Sequence, residues 1–501
     1  MLNKNNILSG ISIDLFGSLL ATFIGFAVIP FYFHYIDAIQ FGLWLALSGT
    51  LALITLVDLG TDQYLTTITA TDSKFYAPEY NMYFTSITLL KTIVSFIVVI
   101  CAGVIYIYLP SLVSIDMQWL EEAKNAFCIG VLGLLISMYA STISTILYAR
   151  HHYSLVNFSV SFFAIMSSCL TIGLLHLGYG ILAFPTALLL SNTLQLLFLF
   201  FYMKKTYLHI KLQIKNFYFI NRRELIGYTT TFQILRWVHT LRTQYIAIAI
   251  NNLVGSLYVT QYTLTNKIPQ MIPGYAIKLV HPFFPIISDL FHQGNLEGIQ
   301  DIFIKISKIL LRIALFCGIA LFTLNESFID LWVGSNKFAG NSIVLLLIVY
   351  MMVYVAMGAF GIVIYASKKF ENWTKWSIVE IVIAIGLSYS LSFLYGFLGV
   401  ILGFVCASLI SQIYLFLLVM KQLQMKPFVF LSHIFYYAFV PNILPCVFGI
   451  VVYIYSSIGS WLDLIFLGII FACLGFLQEI VYIIISKESG IKNKIYKAFQ
   501  L

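Results

Sequence analysis

Charge is scarce in this chain. Of its 501 residues, 10% are Asp, Glu, Lys or Arg and 60% are hydrophobic, whereas soluble domains carry roughly 25% charged residues. The mean hydropathy is +0.94. No conventional soluble fold hides that much apolar surface, so the composition predicts an all-α polytopic membrane protein. A long polar segment is also missing. The longest polar stretch runs over about residues 204–224, which leaves no room for a soluble domain between spans. Cysteines are few. The seven are scattered through apolar segments, with no CxxC pair and no clustered histidine beside them, and they are expected to be small buried hydrophobes. No metal site and no cofactor is expected. There is no GxxxxGK[ST], HExxH or GxSxG and no pair of catalytic carboxylates in an extended loop, which argues against an ATPase domain or a hydrolase. No pattern for RNA or DNA binding is present, so the net charge of +8 is expected to report membrane topology and not nucleic acid. The first apolar span lacks an A-x-A cleavage site and is expected to be a retained helix.

What is present is a succession of apolar runs. A membrane-spanning helix needs about 20 apolar residues, and about fourteen such segments can be read. Their approximate limits are 11–32, 42–68, 84–109, 126–148, 155–177 and 180–203, then 225–250, 255–287, 306–331, 341–366, 374–395 and 399–420, then 431–455 and 460–485. With both termini placed in the cytoplasm, the cytoplasmic segments hold nearly all the extramembranous Lys and Arg, while the opposite side holds Lys124 and Lys337. The predicted organisation is a six-helix lobe over 1–203, a basic cytoplasmic linker over 204–224, a second six-helix lobe over 225–420, and two extra helices with a basic tail over 421–501. The halves look alike: Gly42-Leu43-Trp44 opens the second span and Gly255-Ser256-Leu257-Tyr258 opens the eighth. Two parallel bundles of six would be related by an axis along the membrane normal.

Helical spacing sorts the intramembrane polar residues onto faces. The first span carries Asp14, Ser18, Thr22 and Gly25; the second carries Thr55, Asp58, Asp62, Thr66 and Thr69. The seventh carries Thr229, Gln233, Arg236 and Thr240, with His239 and Arg242 on another side. The eighth carries Thr260, Thr263, Lys267, Gln270, Gly274, Lys278 and His281, read as an unbroken stripe. Polarity thus concentrates in the first two helices of each half, which are expected to line a central cavity, acidic on one wall and basic on the other. A cation in hydrocarbon costs about 2.5–3.5 kcal/mol on insertion scales, so such residues face a wet cavity or a partner. Arg236, Arg242, Lys267 and Lys278 therefore suggest an anionic cargo. The competing expectation is that Asp58 or Asp62 pairs with Arg236 or Arg242 to hold the halves together. Lys91, Glu326, Asp330 and Glu479 are read as lying near span ends, where long side chains snorkel, and Glu380 has no assigned role. Pro269, Pro273 and Gly274 between the two lysines predict a bent or broken helix that could gate.

The chain resembles the bacterial polysaccharide (O-antigen, or repeat-unit) flippases of the multidrug/oligosaccharidyl-lipid/polysaccharide exporter superfamily. In the first half the resemblance rests on Phe41-Gly42-Leu43-Trp44 followed by Asp58-Leu59-Gly60. In the second half it rests on Pro282-Phe283-Phe284-Pro285-Ile286-Ile287-Ser288, Gly294, Leu331-Trp332-Val333-Gly334, Phe338 and the run Val344-Leu345-Leu346-Leu347. Many O-antigen flippases have twelve spans, and the lipid II flippases carry two extra C-terminal ones. The resemblance implies a non-enzymatic transporter of the bacterial inner membrane that moves undecaprenyl-pyrophosphate-linked oligosaccharide between leaflets by alternating access. It implies membrane lipids and, as partners, a polysaccharide polymerase and a chain-length regulator in O-antigen and lipopolysaccharide biosynthesis. On that reading Arg236, Arg242, Lys267 and Lys278 neutralise the pyrophosphate. Asp14, Asp58 and Asp62 bind a coupling proton or sodium ion, or balance charge. The alternatives are a multidrug exporter of the same superfamily, which an acidic cavity would suit better, and a membrane glycan polymerase or ligase, which would place reactive groups in a large outer loop.

Overall fold

The computed structural model describes residues 16–17, 19–57, 60–77, 79–212, 222–367, 371–456 and 458–498. Within these, the side chains of 63, 72, 222–236, 239 and 483–498 are not described. Asp14, Ser18 and Asp58 lie outside the described residues.

Among the described residues the regular structure is helical. In chain order the helices are α1 (Leu19–Tyr32), α2 (Ala38–Ile54), α3 (Thr61–Ala70), α4 (Tyr80–Leu112), α5 (Leu120–Ala149), α6 (Tyr153–His176) and α7 (Ala183–Thr206). Then come α8 (Arg222–Leu253), α9 (Ser256–Thr265), α10 (Met271–Val280), α11 (Phe284–His292) and α12 (Leu296–Val333). The last are α13 (Asn341–Ala356), α14 (Gly358–Ser367), α15 (Glu371–Gln422), α16 (Pro427–Tyr455) and α17 (Trp461–Ala498). Among the described residues each of the fourteen expected spans falls on helix, so the chain is an all-α, multi-pass membrane protein. Nine helical runs among the described residues are long and apolar enough to cross a bilayer unaided. Of the other spans the first is short and the eighth interrupted, while the seventh and ninth run on the continuous helices α8 and α12. The second span breaks where Gly60 takes a left-handed conformation (φ 69°) ahead of α3. The eighth breaks over 266–270, between α9 and α10. In α15 the run folds back at Gly396 (φ 55°, ψ −128°), making two antiparallel helices where spans eleven and twelve were expected.

Exposure along α4 shows how such helices meet lipid. Ile93, Phe96, Ile97, Ile100, Val104 and Ile107 form one exposed stripe, while Phe84, Ile87, Lys91, Val94 and Val98 are buried. Both faces are apolar, so hydrophobicity gives little preference between helix and lipid contact; close packing and interhelical hydrogen bonds must supply it. The cysteines follow the same logic. Contrary to expectation none is buried: Cys128, Cys169, Cys446 and Cys473 are exposed and Cys101, Cys317 and Cys406 half-buried. In an apolar solvent a thiol needs no interior.

Two compact units divide the chain at Thr260/Gln261. The boundary lies within the eighth expected span, and the helix α8 packs with the first unit, on α2 and α3. In that first unit α5 packs against α7, α6 against α7, and α3 against α5. A buried cluster including Tyr64, Leu65, Phe75, Tyr80, Ile146, Leu147 and Met203 fills the space among α3, α4, α5 and α7. Asp37 starts α2 with a reciprocal cap: its Oδ1 accepts from Gln40 N at 2.7 Å, and its own N–H donates to Gln40 Oε1 at 3.1 Å. Gly42 follows on a buried face because the backbone of Ser256 comes against it; a Cβ there would lie 1.8 Å from Ser256 O. Thr260 Oγ1 seals the same contact by donating to Ala38 O at 2.6 Å. Since a backbone carbonyl cannot yield as a side chain can, Gly42→Ala is expected to cost about 1–3 kcal/mol. The check is a lowered Tm of the purified variant in detergent; an unchanged Tm contradicts the packing described.

In the second unit α12 packs against α16 and α13, α13 against α15, and α11 against α14. Its buried cluster includes Phe303, Leu310, Val344, Met351, Phe360, Phe416 and Phe430. The two arms of α15 touch closely. A Cβ on Gly399 would lie 2.0 Å from Leu391 O, and one on Gly403 2.4 Å from Ser388 N. Ser388 Oγ donates to Val400 O at 2.9 Å, and Ser408 Oγ donates to Glu380 Oε1 at 2.9 Å. The small-xxx-small spacing of Gly399 and Gly403 is what admits the second backbone. Glu380, without a role in the sequence, thus helps to tie one arm of the hairpin to the other.

Candidate functional site

The eighth span carries two of the four expected cations, and its break positions them. Five turn residues, 266–270, separate α9 from α10. Pro269 sits in this break and is buried; Pro273 is the third residue of α10 and also buried, and Gly274 beside it is exposed. A proline in the first turn of a helix sacrifices no internal hydrogen bond, so the Pro269-to-Pro273 spacing ends one helix and starts another at little cost. Lys267 lies in the break and is half-buried; Lys278 lies in the last turn of α10 and is exposed, with its Nζ 5.7 Å from the centre of the Tyr275 ring. Among the described residues neither lysine forms an ion pair with a carboxylate. The stripe read from sequence is therefore interrupted. Thr260 is fully buried against Ala38 O, and Thr265 Oγ1 accepts from Ala339 N at 3.0 Å. The Thr260 hydroxyl ties its helix to α2, and that of Thr265 ties α9 to the connection ahead of α13.

Arg242 is half-buried on α8. Arg236 lies on the same helix, six residues earlier, and its side chain is outside the described residues. Asp14 and Asp58 are likewise undescribed.

Asp62 is well defined, and its partner is Lys91. Asp62 stands in the first turn of α3. Lys91 Nζ donates to its Oδ2 at 2.7 Å, and also to Met138 O at 3.0 Å and Ser141 Oγ at 3.1 Å. Ser141 Oγ lies 2.8 Å from the same Oδ2, and Thr142 Oγ1 donates to Oδ1 at 3.1 Å. The Lys91 side chain is 1% exposed and that of Asp62 20%. Sequence reasoning placed Lys91 near a span end. Yet Lys91 is the twelfth residue of α4, about 16 Å along the helix axis, and on its buried face. Snorkelling cannot reach water from there, so the ammonium is paired inside the unit. Beside the pair lies a pocket of about 400 Å³ lined by Thr66, Ser137, Ser141, Ser144, Thr145, Tyr148 and Gln195, with Ala140, Val156 and Val160.

A second ion pair, buried on its arginine side and half exposed on its glutamate side, escaped the sequence reading. Arg312, 2% exposed on α12, makes a two-pronged contact with Glu479 of α17. Nη2 reaches both carboxylate oxygens at 2.8 Å and Nε reaches Oε1 at 3.2 Å. The guanidinium lies 3.7 Å from the centre of the Tyr482 ring. Arg312 follows Lys305 and Lys308 by seven and four residues, so it blends into what reads as a basic span end. The available signal was Glu479, one of two acids with Asp463 in the last apolar run.

His152 forms a bracket between helices. His152 Nε2 lies 2.8 Å from Tyr207 Oη, and Tyr202 Oη lies 3.2 Å from its Nδ1. Burial, then the Arg150 and His151 charges, hold the His152 pKa below the usual histidine value. No group of three potential metal ligands occurs among the described residues.

The sequence matches no protein-family model and no curated protein. Its fold does have counterparts among solved structures. The lipid II flippase MurJ in an inward closed conformation superposes with a TM-score of 0.72 at 13% identity, over 95% of this chain and 99% of that one. A multidrug resistance MATE family transporter of the MOP superfamily in an inward-facing conformation superposes with a TM-score of 0.66 at 16% identity, over 83% of this chain and 98% of that one. An outward-facing MATE family transporter gives 0.57 at 16% identity, over 84% and 95%. The chain thus has the all-α, multi-pass membrane fold that this lipid II flippase and these multidrug transporters share.

Proposed function

We propose that the chain is a flippase for a polyprenyl-diphosphate-linked oligosaccharide, carrying repeat units of a surface polysaccharide from the cytoplasmic to the periplasmic leaflet of the inner membrane by alternating access. The observation that carries this is the distribution of charge. Of the described intramembrane acids, Asp62 and Glu479 are each taken by a lysine or arginine of their own unit, and Glu380 accepts from Ser408. Lys267 is left half-buried at a helix break with no described carboxylate to neutralise it. A cation held so in a membrane protein calls for an anion from elsewhere, and a diphosphate head supplies one. Lys278, Arg242 and Arg236 are assigned to the same head, Pro269, Pro273 and Gly274 to the bending of the eighth span. The extent of the fold supports the reading: the lipid II flippase matches 95% of the chain, whereas the MATE transporters match 83–84%. A multidrug exporter of cations would gain nothing from an uncompensated Lys267, so that reading is not favoured.

The test is reconstitution. Vesicles containing the purified protein and a polyprenyl-diphosphate oligosaccharide with a fluorescent sugar are treated with a membrane-impermeant quencher. Rapid loss of the inner-leaflet signal, absent from protein-free vesicles, is expected. Equal protection in both would contradict the proposal.

A further inference from the structure

The Asp62–Lys91 pair is built like a cation site with the cation attached to the chain. Around Lys91 Nζ stand three oxygens of three kinds: Asp62 Oδ2 at 2.7 Å, Met138 O at 3.0 Å and Ser141 Oγ at 3.1 Å. Carboxylate, backbone carbonyl and hydroxyl oxygens form the hard donor set taken by alkali cations, which resemble an ammonium in charge and oxygen preference. The cage belongs to three helices. Gly60 sets the start of α3 and so the place of Asp62, while Met138, Ser141 and Thr142 occupy one turn of α5. Thr142 fixes the far carboxylate oxygen by donating to Oδ1 at 3.1 Å. All three N–H bonds of the ammonium are used, and it is 1% exposed. The hydroxyl-lined pocket of about 400 Å³ reaches Ser141, itself in contact with Asp62, and Asp62 is 20% exposed. A polar approach therefore leads to the carboxylate, and Lys91 occupies its end.

We propose that Asp62, Ser141, Thr142 and the Met138 carbonyl form a monovalent-cation site that the Lys91 ammonium fills permanently. The first unit thereby carries its counter-ion covalently and excludes Na⁺ and K⁺ from Asp62. Asp62 balances charge and does not carry a soluble coupling ion. The inference stands whether or not the cargo is a lipid-linked oligosaccharide, since its readout is ion binding and not transport.

The experiment compares thermal unfolding of the purified full chain in NaCl, KCl and choline chloride at equal ionic strength, choline being too large for the cage. Wild-type Tm is expected to be the same in all three. Lys91→Ala empties the cage without removing an oxygen. Its Tm is expected to fall in choline and to recover by several degrees, saturably, in NaCl or KCl, through binding to the folded state alone. Lys91→Ala/Asp62→Asn is expected to lose that recovery. Lys91→Gln, which keeps an N–H donor, carries the same comparison should the alanine variant not fold. The proposal is overturned if Na⁺ or K⁺ stabilises the wild type and Asp62→Asn abolishes the effect. It is overturned equally if folded Lys91→Ala responds to neither ion. The wild-type comparison needs no Lys91 variant and decides the matter if none of them folds.

Discussion

Glu479→Ala is expected to destabilise the protein by about 1–3 kcal/mol, because it strands a buried guanidinium whose carboxylate partner is itself half exposed. Arg312 is 2% exposed, and both prongs of its fork end on Glu479. Its backbone carbonyl is a junction as well, accepting from Asn442 Nδ2 at 3.2 Å and from Gln478 Nε2 at 3.5 Å. One position of α12 thus gathers α16 and α17, the two helices beyond the twelve expected in the paired bundles. In lipid such polar contacts replace the hydrophobic drive that would dock helices in water. The outcome should depend on which partner is lost. Removing both, as Arg312→Leu/Glu479→Leu, takes away the buried charge with its partner and is expected to cost far less than Glu479→Ala alone. Unfolding of the three variants in detergent checks this. Equal losses in the single and double variants would contradict the account of a buried guanidinium held by Glu479.

Lys267→Ala is expected to slow translocation of a diphosphate-linked substrate about tenfold or more, while leaving Tm nearly unchanged. A charge-assisted hydrogen bond contributes about 1.5–3 kcal/mol, and each 1.4 kcal/mol is a factor of ten. Lys267 has no described carboxylate to leave stranded, so its removal should spare the fold, in contrast to Glu479→Ala. Lys278 is exposed whereas Lys267 is half-buried, so its charge is less confined and Lys278→Ala should have a smaller effect on the rate. Quencher-access rates in reconstituted vesicles give both numbers. Loss of Tm in parallel with rate for Lys267→Ala would mean that the lysine serves the fold and not the cargo.

The architecture was largely legible in the sequence because lipid imposes length and apolarity on each span. Even the break of the eighth span was announced by Pro269 and Pro273. Legibility ended where partners are chosen across helices. Lys91 and Arg312 look like rim cations because sequence distance to a polar segment says little about which helical face is buried. Asp62 was set against Arg236 or Arg242, yet its partner, Lys91, stands 29 residues away on α4. The polar stripe of the eighth span was drawn too long, since Thr260 faces a backbone carbonyl of α2. The cysteines were taken as buried by a rule that holds in water, where apolar groups turn inward. Gly42 carried the resemblance as a letter in a motif; its reason, the backbone of Ser256, is visible only in three dimensions.

The most direct measurement is equilibrium binding of a polyprenyl-diphosphate oligosaccharide to the purified protein, wild type against Lys267→Ala/Lys278→Ala, with the same glycolipid lacking phosphate as control. Recognition of an anionic head by these lysines predicts that the wild type binds the diphosphate form at least tenfold more tightly than the phosphate-free form. It also predicts that added salt weakens this preference and that the double variant loses most of it. Equal affinity of the wild type for the two glycolipids, or an unaltered preference in the variant, would contradict the account.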